Sequence, residues 1–449
     1  MMRRRNLLSA TGAAAMAATL GSLTRHGTAA DDEYRALVVV YLNGGNDGNN
    51  VLVPTDGAYT DYQRSRQNLA LTRSSLVALT GSAAGHTFGV HPALASLAAL
   101  YEQGRLAFIA NVGPLAEPAT ARQVLDRAVD VPPFLLSHSD QTAIVQGWAG
   151  TEDMSGWAGR TLELLPSSLR NPLAAVTADT HRTLVLGRRS PVSFIDSDGG
   201  TWWGIGDLQR PAEIGAQALG RMAQWQFANA YEAEYARTYG RAYGDGVLVA
   251  RARAAATPPA ADFGNDNEGV VRGLRTLASL MPYFKSQGFK RQVFLQSWGG
   301  FDTHTNQRGT GVNTQDAQLA VLAQALSAFD ASNRASGLDG NVVTLVMTEF
   351  GRTLRPGSGG GSEHAWGNHW LALGGPVAGG SVVGSFPSLV LGGKDDGDEQ
   401  RNGRLVPGIS SDQVGATLAQ WLGLPATQFI DVFPNLARFA TPVVPLLRT

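Results

Sequence analysis

Ala36-Leu37-Val38-Val39-Val40-Tyr41-Leu42, running straight into Asn43-Gly44-Gly45-Asn46-Asp47-Gly48-Asn49-Asn50, is the stretch on which the fold turns. An apolar, β-branched run with no polar alternation predicts a strand buried on both faces, as in a parallel sheet covered by helices. The Gly-rich polar segment after it predicts a sharp turn at the strand's carboxyl end. The same sequence pattern recurs at Leu106–Val112, Gln292–Ser297 and Val342–Met347, and more weakly at Ser388–Leu391. Helical patterns lie between these runs at Pro92–Glu102, Asp316–Ala331 and Asp412–Leu422. Pro92 suits a first helical turn, and Asp412 follows Ser410-Ser411 at a plausible helix start. Alternating strands and helices predict an α/β domain with a doubly wound, mostly parallel sheet. In such a sheet the site lies outside the carboxyl ends of the strands.

Working outward, the first thirty residues have a different character. Arg3, Arg4 and Arg5 precede Asn6-Leu7-Leu8, then an Ala-rich apolar run to Leu23, and small residues at Thr28-Ala29-Ala30. This order describes an export signal, and the paired arginines resemble a twin-arginine leader, whose machinery carries folded chains. The expectation is a leader over 1–30, a single domain over 31–449, and a periplasmic or secreted address. The mature chain contains no run long and apolar enough to span a bilayer. The 205–290 stretch reads as a helical insertion. Within it Phe227, Tyr231, Tyr235 and Tyr239 recur every fourth residue, so the rings share one helix face, expected to pack.

Composition narrows the chemistry. The chain has no cysteine, which suits an oxidising compartment and excludes thiolate ligands and Cys nucleophiles. Four of the 36 basic residues sit in the leader, leaving 32 against 37 acidic groups, a mature charge of about −5. Such a balance suggests no nucleic-acid partner.

Four polar segments follow apolar runs. In the first, Asp47 would project at the sheet's carboxyl edge, where a carboxylate suits a hard cation or merely closes an Asx turn. The second is Ser137-His138-Ser139-Asp140-Gln141, before a helical pattern. Its hydroxyl either caps the helix or serves as a nucleophile toward an anionic ester. The third, Phe301-Asp302-Thr303-His304, alternates so that Asp302 and His304 face one site if the chain stays extended. The fourth comprises Thr348-Glu349-Phe350-Gly351-Arg352-Thr353 and Glu363-His364-Ala365-Trp366-Gly367-Asn368-His369. Of the eight histidines, one lies in the leader, and His138, His304, His364 and His369 all fall in these segments. That concentration, with Asp47, Asp302 and Glu349, predicts ligands assembled in space. Elsewhere, His91-Pro92 reads as a helix entrance, and Trp202-Trp203 as packing beneath a Gly turn.

Taken in order, these motifs resemble the exported family called domain of unknown function 1501, grouped with the alkaline phosphatase and sulfatase superfamily. Phe88-Gly89-Val90-His91-Pro92 and Leu373-Gly374-Gly375 also fit that likeness, which spans nearly the whole mature chain. The resemblance implies an alkaline-phosphatase-like fold and a metal-dependent hydrolase of small anionic phosphate or sulfate esters. It implies a divalent metal (Zn, Mg or Ca) held by Asp47, Asp302, His304, Glu349 and His364, with His369 a ligand or supporting partner. A hydroxyl of Ser137 or Ser139, beside His138, would be the nucleophile. The chain departs from the template at Phe350, where the superfamily carries a second ligand. That departure supports an alternative, a non-catalytic binding or envelope-assembly protein on the same fold. A third reading takes Gly44-Gly45-Asn46-Asp47 as a serine-esterase block, but the Gly-Asp-Ser and Asp-x-x-His it requires are not in position.

Overall fold

The computed structural model describes residues 33–147, 153–178, 182–200, 214–222, 224–264 and 267–448. The predicted leader and Trp202-Trp203 lie outside the described residues. Nine strands form the central sheet: β1 Arg35–Leu42, β2 Leu106–Gly113, β3 Ala175–Thr177, β4 Ser193–Phe194, β5 Arg291–Trp298, β6 Val342–Met347, β7 Asn368–Leu373, β8 Ser381–Val383 and β9 Ile409–Ser410. Their order is β8-β2-β7-β6-β1-β5-β3-β4, with β9 beside the end of β2. β1 lies at the centre, parallel to β5 on one side and β6 on the other. Only β7 runs antiparallel to its neighbours, so the sheet is mixed and mostly parallel.

The principal helices are α1 Tyr59–Arg66, α2 Ala95–Glu102, α3 His138–Val145, α4 Trp157–Leu164, α5 Ala230–Ala255, α6 Gly269–Ser286, α7 Gln315–Ala335 and α8 Ser411–Leu422. Alternate residues of β1 enter different cores. Val38 and Val40 pack with Leu97 of α2, Leu277 of α6 and Leu326 of α7, whereas Leu37 and Val39 pack with Leu162 of α4 and Leu418 of α8. Burial on both faces is why the strand carries no polar alternation. Helix α8 starts in a capping box made by Ser410 and Gln413, which satisfies amides that the first turn would leave unpaired.

Two expectations need correction. Ser388–Leu391 pairs with no strand; the nearest one is β8, at Ser381–Val383. The aromatic stripe is not a packing face either. Phe227 precedes α5, Tyr231 and Tyr235 are exposed, and Tyr235 and Tyr239 stack on each other at 6.3 Å. That helix buries its small residues Ala236 and Ala252 instead, so the large rings face outward. Helix α6, in the same 205–290 stretch, packs into the main core through Val270, Leu274 and Leu277. Among the described residues, no helix is long and apolar enough to cross a membrane.

Candidate metal centre

The carboxyl ends of three adjacent parallel strands build the site. Beyond β1 the chain turns at Gly44 and Gly45, both at positive φ (117° and 76°). A Cβ on Gly44 would lie 2.3 Å from the Asp302 amide nitrogen, and one on Gly45 would lie 2.3 Å from the Phe350 ring. Only glycine allows this turn and this closeness. It presses the loop after β1 onto the segments that follow β5 and β6. The Asn43 amide donates to Trp298 and the Phe301 amide to Asn43, holding the first two loops side by side. A short hairpin, Arg352–Pro356 against Ser362–His364, sets Arg352 opposite His364.

Arg352 has no exposed side-chain surface and bonds to the carbonyls of Gly44, Gly45 and Ser362 and to the Asp302 carboxylate. Three imidazoles surround that carboxylate. His304 Nε2 is 3.0 Å and His364 Nε2 3.2 Å from Asp302 Oδ1, and His138 Nε2 is 3.4 Å from Oδ2. His304 and His364 place their Nε2 atoms 3.0 Å apart. Ligand atoms of His138, Asp302 and His364 all lie within 4.8 Å of one another. Asp302 and His304 meet at one point although the chain there is no strand: the Thr303 amide donates to the Phe301 carbonyl and the His304 amide to the Asp302 carbonyl.

Each ring is oriented by its other nitrogen. His138 Nδ1 lies 2.8 Å from Glu349 Oε1, His304 Nδ1 2.7 Å from Glu363 Oε2, and His364 Nδ1 2.8 Å from the Leu136 carbonyl. Each Nδ1 faces an oxygen acceptor and each Nε2 faces the Asp302 carboxylate, so rings that carry their proton on Nδ1 turn Nε2 lone pairs inward. Two such lone pairs 3.0 Å apart repel unless a cation, a proton or a metal ion, lies between them. His138 Nε2 is also out of solvent with no hydrogen bond. This donor set fits a divalent cation.

Charges in the pocket are tuned by neighbours. Burial works against ionisation of Asp302, but Arg352 overrides it and holds that carboxyl at about 2. Burial opposes the Glu349 charge too, yet His138 and the Thr348 and Gly44 donors keep its pKa below the ordinary value. The Glu349 bond raises the His138 pKa, whereas burial, Arg352 and His138 lower that of His364.

The remaining predicted residues stand elsewhere. Asp47 does not join the cluster: it is buried, paired with Arg66 of α1, and also accepts from Gln307 (2.6 Å) and the Asn49 amide (3.1 Å). Glu349 touches the cluster through His138; its oxygens also accept from Gly44 and Tyr41, and the Thr348 hydroxyl, whose one proton serves either Glu349 or the Leu42 carbonyl, lies 2.8 Å away. His369 accepts from the Asn111 amide and stacks on Phe386 inside β7, and burial takes it down to about 4. Ser137 is the N-cap of α3; its hydroxyl donates to Asp140 and lies 3.2 Å from that of Ser139. Both roles read for that hydroxyl remain compatible with its place beside His138. No sequence pattern marks Glu363 beyond its place next to His364.

The sequence matches the family described as "Protein of unknown function (DUF1501)" over residues 34–399. The chain belongs to that family. Among solved structures it is similar to Ps i-CgsB, with 8% identity over 91% of this chain and 78% of that one and a TM-score of 0.36. The same protein in complex with k-i-k-neocarrahexaose gives 9% identity, the same coverage and a TM-score of 0.35. The phosphonate monoester hydrolase SpPMH from Silicibacter pomeroyi matches at 9% identity over 87% of this chain and 74% of that one, TM-score 0.31. No curated protein matches the sequence significantly.

Proposed function

We propose that this chain is an exported, metal-dependent hydrolase of phosphate or sulfate esters. The observation that carries the reading is the set of three imidazoles, each anchored at Nδ1 by an oxygen and turned by Nε2 toward Asp302. Bound there, a divalent cation supplies Lewis-acid polarisation of an ester oxygen. Ser137, next in the chain to His138, provides the nucleophile and hands its proton to Asp140, to which it is already hydrogen-bonded. The serine oxygen bonds the phosphorus or sulfur centre as the ester oxygen leaves, taking the proton held by Asp140 to become the alcohol; water then attacks, releasing the acid and returning a proton to the serine oxygen. The first amides of α3 support the anion. The arginine-led N-terminus addresses the folded chain to the twin-arginine machinery, and so to the periplasm or beyond.

One observation favours a second reading, a non-catalytic binding or envelope-assembly protein that retains the metal. The Ser137 hydroxyl already caps α3. Elemental analysis of the folded protein, followed by turnover of a panel of aryl phosphates and sulfates, separates the two. Hydrolysis that fails in the Ser137→Ala variant supports the enzyme. Stoichiometric metal with no turnover on any ester supports the second reading, and no bound metal defeats both.

A further inference from the structure

We propose that the centre is mononuclear and of zinc class, with His138, His304, His364 and Asp302 as its four donors. In this arrangement Glu349 and Glu363 orient imidazoles and bind no ion. The inference rests on the metal-centre reading above and narrows it.

The argument against a second ion comes from the carboxylates that would have to hold it. Asp47 is wholly buried, and both of its oxygens are engaged, one by Arg66 and Gln307 and the other by the Asn49 amide. Freeing it would leave a buried guanidinium with neutral acceptors only and no carboxylate to balance its charge, which is costly. Glu349 has no exposed side-chain surface, and its oxygens already receive Gly44, His138 and Tyr41, with the Thr348 hydroxyl 2.8 Å away. His369 is confined to the sheet interior against Phe386. The Phe350 ring lies 4.8 Å from that of His138 and 4.6 Å from that of His364, so an apolar face closes that side of the cluster.

The argument for one ion of zinc class comes from spacing and donor type. Donors about 2.0–2.1 Å from a tetrahedral ion stand about 3.3 Å from one another. His304 and His364 stand 3.0 and 3.2 Å from one Asp302 oxygen and 3.0 Å from each other, His138 stands 3.4 Å from the other oxygen, and ligand atoms of His138, Asp302 and His364 lie within 4.8 Å of one another, close enough for one ion to draw them in. Calcium and magnesium prefer sites built wholly from oxygen, whereas imidazole-rich sets suit zinc and its neighbours. A carboxylate or carbonyl behind each ring fixes its tautomer and raises its basicity.

The test uses the purified full-length protein, loaded with zinc, desalted and measured by elemental mass spectrometry, with cobalt(II) substitution as an optical readout. We expect one equivalent and the strong visible bands of a four-coordinate cobalt centre. His304→Ala should weaken zinc binding more than tenfold. Glu363→Gln and Glu349→Gln should weaken it by about 10–100-fold while the stoichiometry stays at one. Two equivalents in the wild type would overturn the single-ion inference and leave the metal centre standing. So would retention of magnesium or calcium in preference to zinc, or affinity unchanged by both His304→Ala and Glu363→Gln. If the wild type retains no metal, the proposed function fails along with the inference.

Discussion

His369 and His364 lie five residues apart in the chain, yet their surroundings give them opposite uses. His364 reaches the Asp302 cluster with its Nδ1 tied to a carbonyl. His369 sits wholly inside the sheet, where burial lowers its pKa to about 4 against an ordinary value near 6.5. The folded state therefore resists taking up a proton that the unfolded chain accepts. Stability contributed by neutral His369 is complete above pH 6.5 and is lost as the pH falls toward 4, at up to about 1.4 kcal/mol per pH unit. His369→Gln keeps an acceptor for the Asn111 amide but cannot titrate, so its stability should fall less steeply over that window. Urea midpoints measured from pH 7 to 4 check this; parallel slopes for the two proteins would contradict it.

At the scale of elements, the Gly44-Gly45 turn packs the end of β1 against the loops after β5 and β6. A Cβ at position 45 meets the Phe350 ring at a positive φ. Gly45→Ala should therefore cost about 2–4 kcal/mol by chemical denaturation, combining backbone strain with overpacking. Adding Phe350→Ala should recover part of that loss, making the pair non-additive. Additive costs would mean that the contact is not what constrains the turn. Strands β1, β2, β5 and β6 could be read directly, since burial on both faces leaves mostly apolar runs without polar alternation. Strand β7 could not: its opening Asn368-His369 reads as a site motif, and only pairing with β2 and β6 makes it a strand. Ser388–Leu391 shows the converse, an apolar run with no partner.

For the whole molecule, the export proposed above predicts that the N-terminal arginines act independently of the folded domain, because export machinery would read a leader and not the core. Arg4→Lys with Arg5→Lys should leave the chain in the cytoplasm, with the melting temperature of the mature domain unchanged; cell fractionation and a thermal melt measure the two effects. Undiminished export would remove the twin-arginine assignment. The α/β layering, the polar turns at strand ends and the gathering of histidines in four polar segments were all set by local pattern, since periodicity and turn chemistry act within a few residues. Which of the candidate ligands meet was decided by tertiary structure alone. Asp47 and Asp302 both follow apolar strands. One is drawn inward by the buried guanidinium of Arg66, and the other is held at the pocket by Arg352. Those two arginines lie 19 and 50 residues from their partners, and no local rule links a carboxylate to so distant a charge.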